Sequence, residues 1–483
     1  MKRVLMDMDL DMFRMALLEN GEPVEFYAES KRKESLVGNV YIGRVAQVIP
    51  NLQAAFVDIG TGRNGYLYYG TARAVSDETK QNRPKAGEQI VVQVLKDAVG
   101  EKGAVLTRQV SFSGKYLVLL PEEAGEVGVS RKIKQEAERR RIRDCIQALL
   151  PPECGAVVRT NAVGRTEEEF AKELEELLQK WKDVRQAEYQ RAPALLWQES
   201  TFALKAVRDF YGADVDSFVV NDAQTYRQLK QTGDFDGQGQ PKLVHYQEKT
   251  PLFATFFIES KWEKALAERV WLKSGGYLVI QETEACVVID VNSAKAAGRG
   301  DLENMILKTN LEAAAEAAKQ MRLRNLSGII IIDFIDMVQE EHKKRLTKAL
   351  EEAVEQDRVK TVVVGMTTLG LMQVTRKKTR PSLSKQVTTK CRVCEGSGRM
   401  PSVDSVAARM RRETEQIFAS TIYRKVLVYA DARLLHAYLG RDDAFAKKML
   451  HQYQAEVDTE EKKGEAFGWY DVISVTPKAK ENT

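Results

Sequence analysis

Of the 483 residues only five are cysteine and four are histidine. So odd and sparse a set of thiols excludes the disulfide framework of a small secreted protein. Cys145, Cys154 and Cys286 stand alone in the chain and read as small buried apolar residues. Long hydrophobic runs are missing too: none reaches the roughly 18 residues that a bilayer span requires. The opening MKRVLMDMDLDMFRMALL carries three aspartates and alternates in polarity. It has neither the continuous apolar core nor the small-residue cleavage site of a signal peptide. The expectation is a cytoplasmic protein with no membrane segment. Charge of one sign is not abundant either. The 73 basic and 69 acidic residues leave a formal net charge of +4, so overall balance points to no class of partner. The length implies about three to five domains.

What is present begins with two apolar runs that each end in aspartate. Cys286-Val-Val-Ile-Asp290 continues into Val291-Asn292-Ser293, and Ile329-Ile-Ile-Ile-Asp333 into Phe334-Ile335-Asp336. One amphipathic stretch, about 301–325, lies between them and closes on Ser327-Gly328. The pattern predicts strand, helix, strand. A helix between two strands makes a right-handed parallel crossover. Both aspartates then fall at the C-terminal edge of one sheet, about 4.8 Å apart in backbone if the strands are neighbours. Two carboxylates so placed can share one hard cation, which suggests a magnesium-dependent phosphoryl-transfer or phosphodiester-hydrolysis site. A single aspartate after a strand is commonly only a turn former or helix cap. The pair says more than either member.

Residues 1–37 alternate like strands and include Glu19-Asn20-Gly21, a hairpin-type turn. Residues 38–110 contain several short strands separated by glycine or charged turns, which suggests an OB-fold barrel. There Phe56, Tyr66 and Tyr68 are interleaved with Arg63, Lys96, Lys102 and Arg108. Such a mixture suits single-stranded nucleic acid, and equally the rings could fill the barrel core. Residues 111–204 start with a strand near 116–120 and hold charged helices near 131–150 and 166–191. Between the helices, Gly155-Ala-Val-Val-Arg159-Thr160 ends a strand in a polar turn. An arginine fork beside a threonine hydroxyl can bind a terminal phosphate; a structural Arg-Thr turn is the alternative. Residues 205–266 are mixed, with a glycine-rich turn at 233–239. Residues 267–386 hold the paired aspartates, and a helix near 340–356 leading to a strand at 361–365 continues the α/β alternation. Residues 376–392 contain seven basic residues and no acidic one, either a solvated surface or a track for a polyanion.

Cys391-Arg-Val-Cys394-Glu-Gly396-Ser-Gly398 is a CxxC knuckle with trailing glycines. Structural zinc takes four ligands. The chain has no second CxxC, and no histidine stands nearby in sequence. The other two thiolates would come from a second copy of the chain, one zinc shared by two subunits. An unmetallated turn or a redox-active pair are the alternatives.

The stretch IDVNSAKAAGRGDLENMILKTNLEAAAEAAKQMRLRNLSGIIIIDFIDM, followed by CxxCxGxG, strongly resembles the ribonuclease E/G family of bacterial endoribonucleases. The likeness runs from the barrel to the cysteine knuckle and is weakest over the first 35 residues and after about 403. The chain ends soon afterwards, as in the shorter members that lack a long disordered arm. The resemblance implies a multidomain α/β protein. Residues 1–37 and 205–266 would form a ribonuclease-H-like domain, interrupted by the OB-fold RNA-binding barrel at 38–110 and a 5′-phosphate sensor region at 111–204. A DNase-I-like catalytic domain would span 267–386, a zinc link 387–402 and a small α+β domain 403–483. Asp290 and Asp333 match the family's magnesium-binding aspartates, and Asn292 the asparagine that supports them. Phe56, Tyr66, Lys96 and Lys102 match RNA-contacting positions. Gly114, Val118, Arg159 and Thr160 match the pocket that senses a 5′-monophosphate. Cys391 and Cys394 match the shared-zinc link of a homodimer, which can pair further into a tetramer. Tyr66 stands where the family has phenylalanine, Lys360 where it has arginine, and Arg392 where it has proline. The expected function is magnesium-dependent cleavage of single-stranded RNA in rRNA or mRNA processing and decay. It would leave 5′-phosphate and 3′-hydroxyl ends and be stimulated by a 5′-monophosphate. A non-catalytic RNA-binding or ribosome-assembly protein with structural zinc, and a metal-dependent DNA nuclease, are the rival readings.

Overall fold

The computed structural model describes the chain except for residues 32–34, 71–82, 99–101, 212–213, 236–239, 294–301, 395, 465–467 and 476–483. Part of the glycine-rich turn at 233–239, and the segment after Ser293 in the long family-like stretch, lie outside the described residues. The chain divides into two compact units, 1–387 and 388–483.

In the first unit, Lys2–Met8, Met12–Glu19 and Glu22–Ser30 form an antiparallel meander. Asn20 and Gly21 both take positive φ, +52° and +82°. A two-residue hairpin needs that geometry, and asparagine followed by glycine adopts it at low cost. Ser217–Val220 and Lys242–His245 join the same sheet in parallel beyond Lys2–Met8, so one sheet draws strands from two distant stretches.

Between those stretches, Val40–Ile49, Ala54–Asp58, Gly65–Tyr68, Gln89–Lys96 and Val105–Thr107 form a barrel. Gln89–Lys96 pairs back onto Val40–Ile49 and closes it. The parallel Gly65–Tyr68 and Val105–Thr107 pair within an otherwise antiparallel ring is OB-like. Ala55, Val57, Leu67, Val92 and Leu106 fill the interior. Gly65 has to be glycine on packing grounds: a Cβ there would lie 2.5 Å from Leu106.

A four-stranded sheet follows, in the order Val127–Val129, Gly155–Val158, Leu117–Leu120, Phe112–Ser113. The helices Glu136–Leu149 and Glu167–Ala187 accompany it. Thr166 and Glu169 form a capping box, which fixes the second helix's start.

The sheet carrying the aspartates has the order Arg269–Trp271, Tyr277–Glu282, Cys286–Asn292, Gly328–Asp333, Leu371–Arg376, Thr361–Met366. Cys286–Asn292 and Gly328–Asp333 are parallel, joined through the helix Leu302–Leu323. The expected α/β alternation continues through the helix Glu340–Glu355 to Thr361–Met366 and ends there. Thr361–Met366 turns sharply at Gly370 (φ +82°) into Leu371–Arg376, which takes the inner place antiparallel to Gly328–Asp333. The connection is too short for the crossover that a parallel pair needs. Val287, Ile289, Ile330, Ile332 and Val374 pack with Ala314, Ala317 and Met321 of the crossover helix and with Leu346 and Leu350 of the helix Glu340–Glu355. Ile289 and Ile332 are completely buried, so truncating either to alanine should cost ~2–5 kcal/mol. The alternate residues face away from these helices.

The basic run at 376–392 is partly interior rather than a surface track. Arg376 is buried against Asp357 at 2.6 Å. Arg380 lies 3.5 Å from the centroid of the Tyr27 ring and donates to the Phe26 carbonyl.

In the second unit, Glu456–Glu461, Lys425–Ala430 and Tyr470–Ser474 form a small sheet. It shares a core with the helix Val403–Ser420 through Val406, Met410, Phe418, Val426 and Val428. No helix among the described residues is long and apolar enough to cross a membrane.

Candidate active site

In the parallel pair, register sets Asp290 directly opposite Asp333, about 4.8 Å away in backbone. Side chains alternate along each strand. Because Ile289 and Ile332 point into the helix-covered core, both aspartates emerge on the opposite, open face. The pair therefore sits on a sheet face near the strand ends, not only at an edge. Asn292 Nδ2 donates to Asp290 Oδ2 at 2.8 Å and holds that carboxylate in place. Both carboxylates are exposed, and among the described residues no lysine or arginine forms an ion pair with either. Two uncompensated carboxylates plus solvent are a donor set suited to Mg²⁺, which retains several waters and takes one or two carboxylates from the protein. No group of three or more acidic, histidine or cysteine side chains gathers as a metal site among the described residues, so a fully protein-made cage is not what these residues build.

On the barrel, Phe56 faces Tyr66, Tyr66 faces Val105, and Val105 faces Lys96. Cross-strand partners share a face. The interior is filled by Ala55, Val57 and Leu67, so this row lies on the outside, with its rings half-buried. The centroids of Phe56 and Tyr66 are 6.1 Å apart, edge to face. Tyr68 emerges on the same side, 50% exposed. Lys102 is exposed just ahead of Val105–Thr107.

The third cluster assembles around Arg159. Its Nη1 donates to the Gly114 carbonyl at 2.7 Å and its Nη2 to Asp209 Oδ1 at 2.8 Å. Thr160 is exposed, its hydroxyl 3.3 Å from that of Ser130. Val118 pairs with Val157 on the outer side of its strand, the side that Arg159 continues. Gly114 is demanded by the buried Glu173, whose carboxylate would lie 2.5 Å from a Cβ at that position. That carboxylate accepts the backbone N–H groups of Lys115, Tyr116 and Leu117 at 2.5 to 2.9 Å. Burial pushes the Glu173 carboxyl up from its ordinary value, and the three donors pull against it. Sequence reasoning missed Asp209, Glu173 and Ser130. All three meet the cluster only through the fold, and no local pattern marks them. Lys132 also ties this region to the sheet that carries the aspartates by donating to the carbonyls of Asp357 and Arg358 at 2.7 and 2.6 Å. Lys360, two residues on, is exposed.

In the second unit, Cys391 and Cys394 lie in the turn that precedes Val403–Ser420. The amides of Gly396 and Gly398, with the Cys391 side chain, hold the Cys394 thiol below its usual range. Amide donors that favour thiolate are the environment a metal-binding knuckle needs.

Comparison with known proteins places these clusters in a family context. Residues 111–379 match the model of the ribonuclease E/G family. The chain is 37% identical to ribonuclease G of Escherichia coli (strain K12) over 445 residues, 89% of this chain and 90% of that protein. It is 36% identical to ribonuclease G of Haemophilus influenzae over 442 residues, 88% of this chain and 90% of that protein. With ribonuclease E of Escherichia coli (strain K12) it shares 34% identity over 432 residues, 86% of this chain but 40% of that protein. By both the extent of the family match and the coverage of these relatives, the chain belongs to the ribonuclease E/G family.

Proposed function

We propose that this chain cuts single-stranded RNA internally, with Mg²⁺ held between Asp290 and Asp333. As a member of the ribonuclease E/G family it is an enzyme that acts on RNA. The observation that carries the magnesium assignment is the direct pairing of Asp290 with Asp333 on the open face of the sheet. Bound there, Mg²⁺ would polarise the scissile phosphate and lower the pKa of an attacking water. Asn292 orients Asp290, and the open face leaves room for the strand to approach. His342 is buried on the opposite, helix-bearing side, with its Nδ1 3.3 Å from the Glu303 carboxylate. Its position supports attack by water rather than by the 2′-hydroxyl with a histidine base, and hence 5′-phosphate and 3′-hydroxyl ends.

The remaining clusters serve that site. Phe56 and Tyr66 stack bases while Lys96 and Lys102 meet phosphates. Arg159 and Thr160, shaped by Gly114 and Val118, receive a 5′-monophosphate through an arginine fork and a hydroxyl. Cys391 and Cys394 from two chains hold one zinc in a homodimer, with a dimer of dimers as the next order of assembly. In this reading 1–37 with 205–266 is ribonuclease-H-like and 267–386 is the DNase-I-like nuclease domain.

The test is one A/U-rich RNA bearing either a 5′-monophosphate or a 5′-triphosphate, incubated with and without Mg²⁺ beside a matched DNA, with end-group analysis. Cleavage confined to RNA plus Mg²⁺, faster with the monophosphate, is expected. RNA binding without cleavage would leave a non-catalytic binding protein, and equal cutting of DNA would leave a general nuclease.

A further inference from the structure

The hairpin beside the Asp290 strand carries two rings and a guanidinium that the scheme so far leaves idle. Trp271 faces Tyr277 and Arg269 faces Val279 across that hairpin. On the next strand Tyr277 faces Asn292 and Val279 faces Asp290. Trp271, Tyr277 and Asn292 therefore form one row across the open face. Arg269, Val279, Asp290 and Asp333 form the row beside it. Strand spacing puts Tyr277 about 5 Å and Trp271 about 10 Å from Asn292.

The two rings lie 5.2 Å apart between centroids, tilted by 58°. The Arg269 guanidinium sits 4.5 Å from the Tyr277 centroid and 5.8 Å from that of Trp271. Trp271 is 64% exposed, so burial does not account for an indole at this place. Isolated exposed aromatics need no explanation. Here, though, two rings and a cation are fixed in register beside a carboxylate pair. Those carboxylates repel a phosphodiester backbone, and Arg269 supplies compensating charge in the same row. Among the described residues no carboxylate forms an ion pair with Arg269.

We infer that Trp271, Tyr277 and Arg269 form a stacking platform for a nucleobase of the single-stranded substrate, next to the bond being cut. The inference rests on the RNA-cleaving function proposed above. Any base offers a π-face to the indole and phenol, so the platform tolerates sequence. The guanidinium stacks on the rings and reaches the adjoining phosphate. Bases in a duplex are already stacked and paired, so the platform favours unpaired strands.

The test uses the full chain and a 5′-hydroxyl A/U-rich RNA as probe. Without divalent metal, single-stranded probe should quench a tryptophan emission component that Trp271→Phe removes, and a duplex of the same sequence should not. With Mg²⁺, Trp271→Ala should raise KM by about 5- to 150-fold, the range for loss of one base–ring stack, with kcat little changed. Trp271→Phe should retain most of the wild-type KM. Wild-type KM in Trp271→Ala, or equal quenching by duplex, overturns the platform while leaving cleavage by the wild type intact. Quenching by single strands in a protein that cuts nothing would instead support the platform and defeat the nuclease function.

Discussion

Breaking the ion pair between Asp357 and Arg376 should loosen the sheet that carries the aspartates. The pair is 2.6 Å long, with side-chain exposures of 4% for Asp357 and 2% for Arg376. Arg376 also donates to Asn325 Oδ1 at 2.7 Å and to the Leu326 carbonyl at 3.1 Å. Asp357 accepts from the Val359 amide at 2.9 Å and the Thr361 hydroxyl at 3.0 Å. The network therefore pins the entry to Gly328–Asp333 and both strands of the neighbouring hairpin. Asp357→Asn keeps the shape but leaves a buried guanidinium without its counter-charge, a loss of ~3–5 kcal/mol. Several sheets in two units make a single unfolding midpoint ill-defined. Hydrogen exchange of peptides covering 325–333 and 371–377 is the better assay. Protection there should fall by more than about 100-fold, the equivalent of ~3 kcal/mol. Asp336→Asn, at an exposed carboxylate, should stay within about ±0.5 kcal/mol. Burial opposes ionisation of Asp357, but Arg376 and the surrounding donors prevail and hold its carboxyl below the ordinary 3.8. Its contribution is thus complete above the ordinary aspartate value and is lost as pH falls through the lowered one. Protection within about threefold of wild type in Asp357→Asn would refute the argument.

Three further outcomes are expected. Arg159→Ala should slow cleavage of 5′-monophosphorylated RNA by about 10- to 150-fold, the equivalent of a charged hydrogen bond of ~1.5–3 kcal/mol, and hardly affect 5′-hydroxyl RNA; equal losses on both would make Arg159 structural. Phe56→Ala should weaken single-stranded RNA binding by ~1–3 kcal/mol, and Lys96→Ala should lower the salt slope of log K by about 0.7; an unchanged salt slope would remove Lys96 from the phosphate path. Cys391→Ser with Cys394→Ser should abolish zinc and shift sedimentation toward monomer, whereas wild type purified without chelator should hold one zinc per two chains; one zinc per chain or none would rule out a shared site.

The sequence made the strand–helix–strand around the aspartates legible because each part has its own period. The crossover rule then put Asp290 and Asp333 at one edge of one sheet, while the direct adjacency of their strands is a feature of the fold. Face was harder to read than edge: it depended on which side the helices Leu302–Leu323 and Glu340–Glu355 chose. The place of Leu371–Arg376 beside Gly328–Asp333 was hidden because an antiparallel return looks like any other apolar run. Arg376 and Arg380 read as surface charge, since their partners Asp357 and Tyr27 lie 19 and 353 residues away in sequence. For the same reason Asp209 and Glu173 left no local mark near Arg159. The outer row of the barrel was half legible: alternation places Tyr66 and Leu67 on opposite sides, but only closure of the barrel decides which side is in.

The most direct measurement of the central claim compares Asp290→Asn and Asp333→Asn with wild type on one single-stranded RNA across a Mg²⁺ titration, reading kcat and Kd together. Both side chains are exposed, so the substitutions leave the core untouched. The account predicts that each variant loses at least about 100-fold in kcat, on the scale of removing one transition-state charge stabiliser, while Kd for RNA stays close to wild type. Near-normal turnover by either variant at subsaturating Mg²⁺ would contradict it.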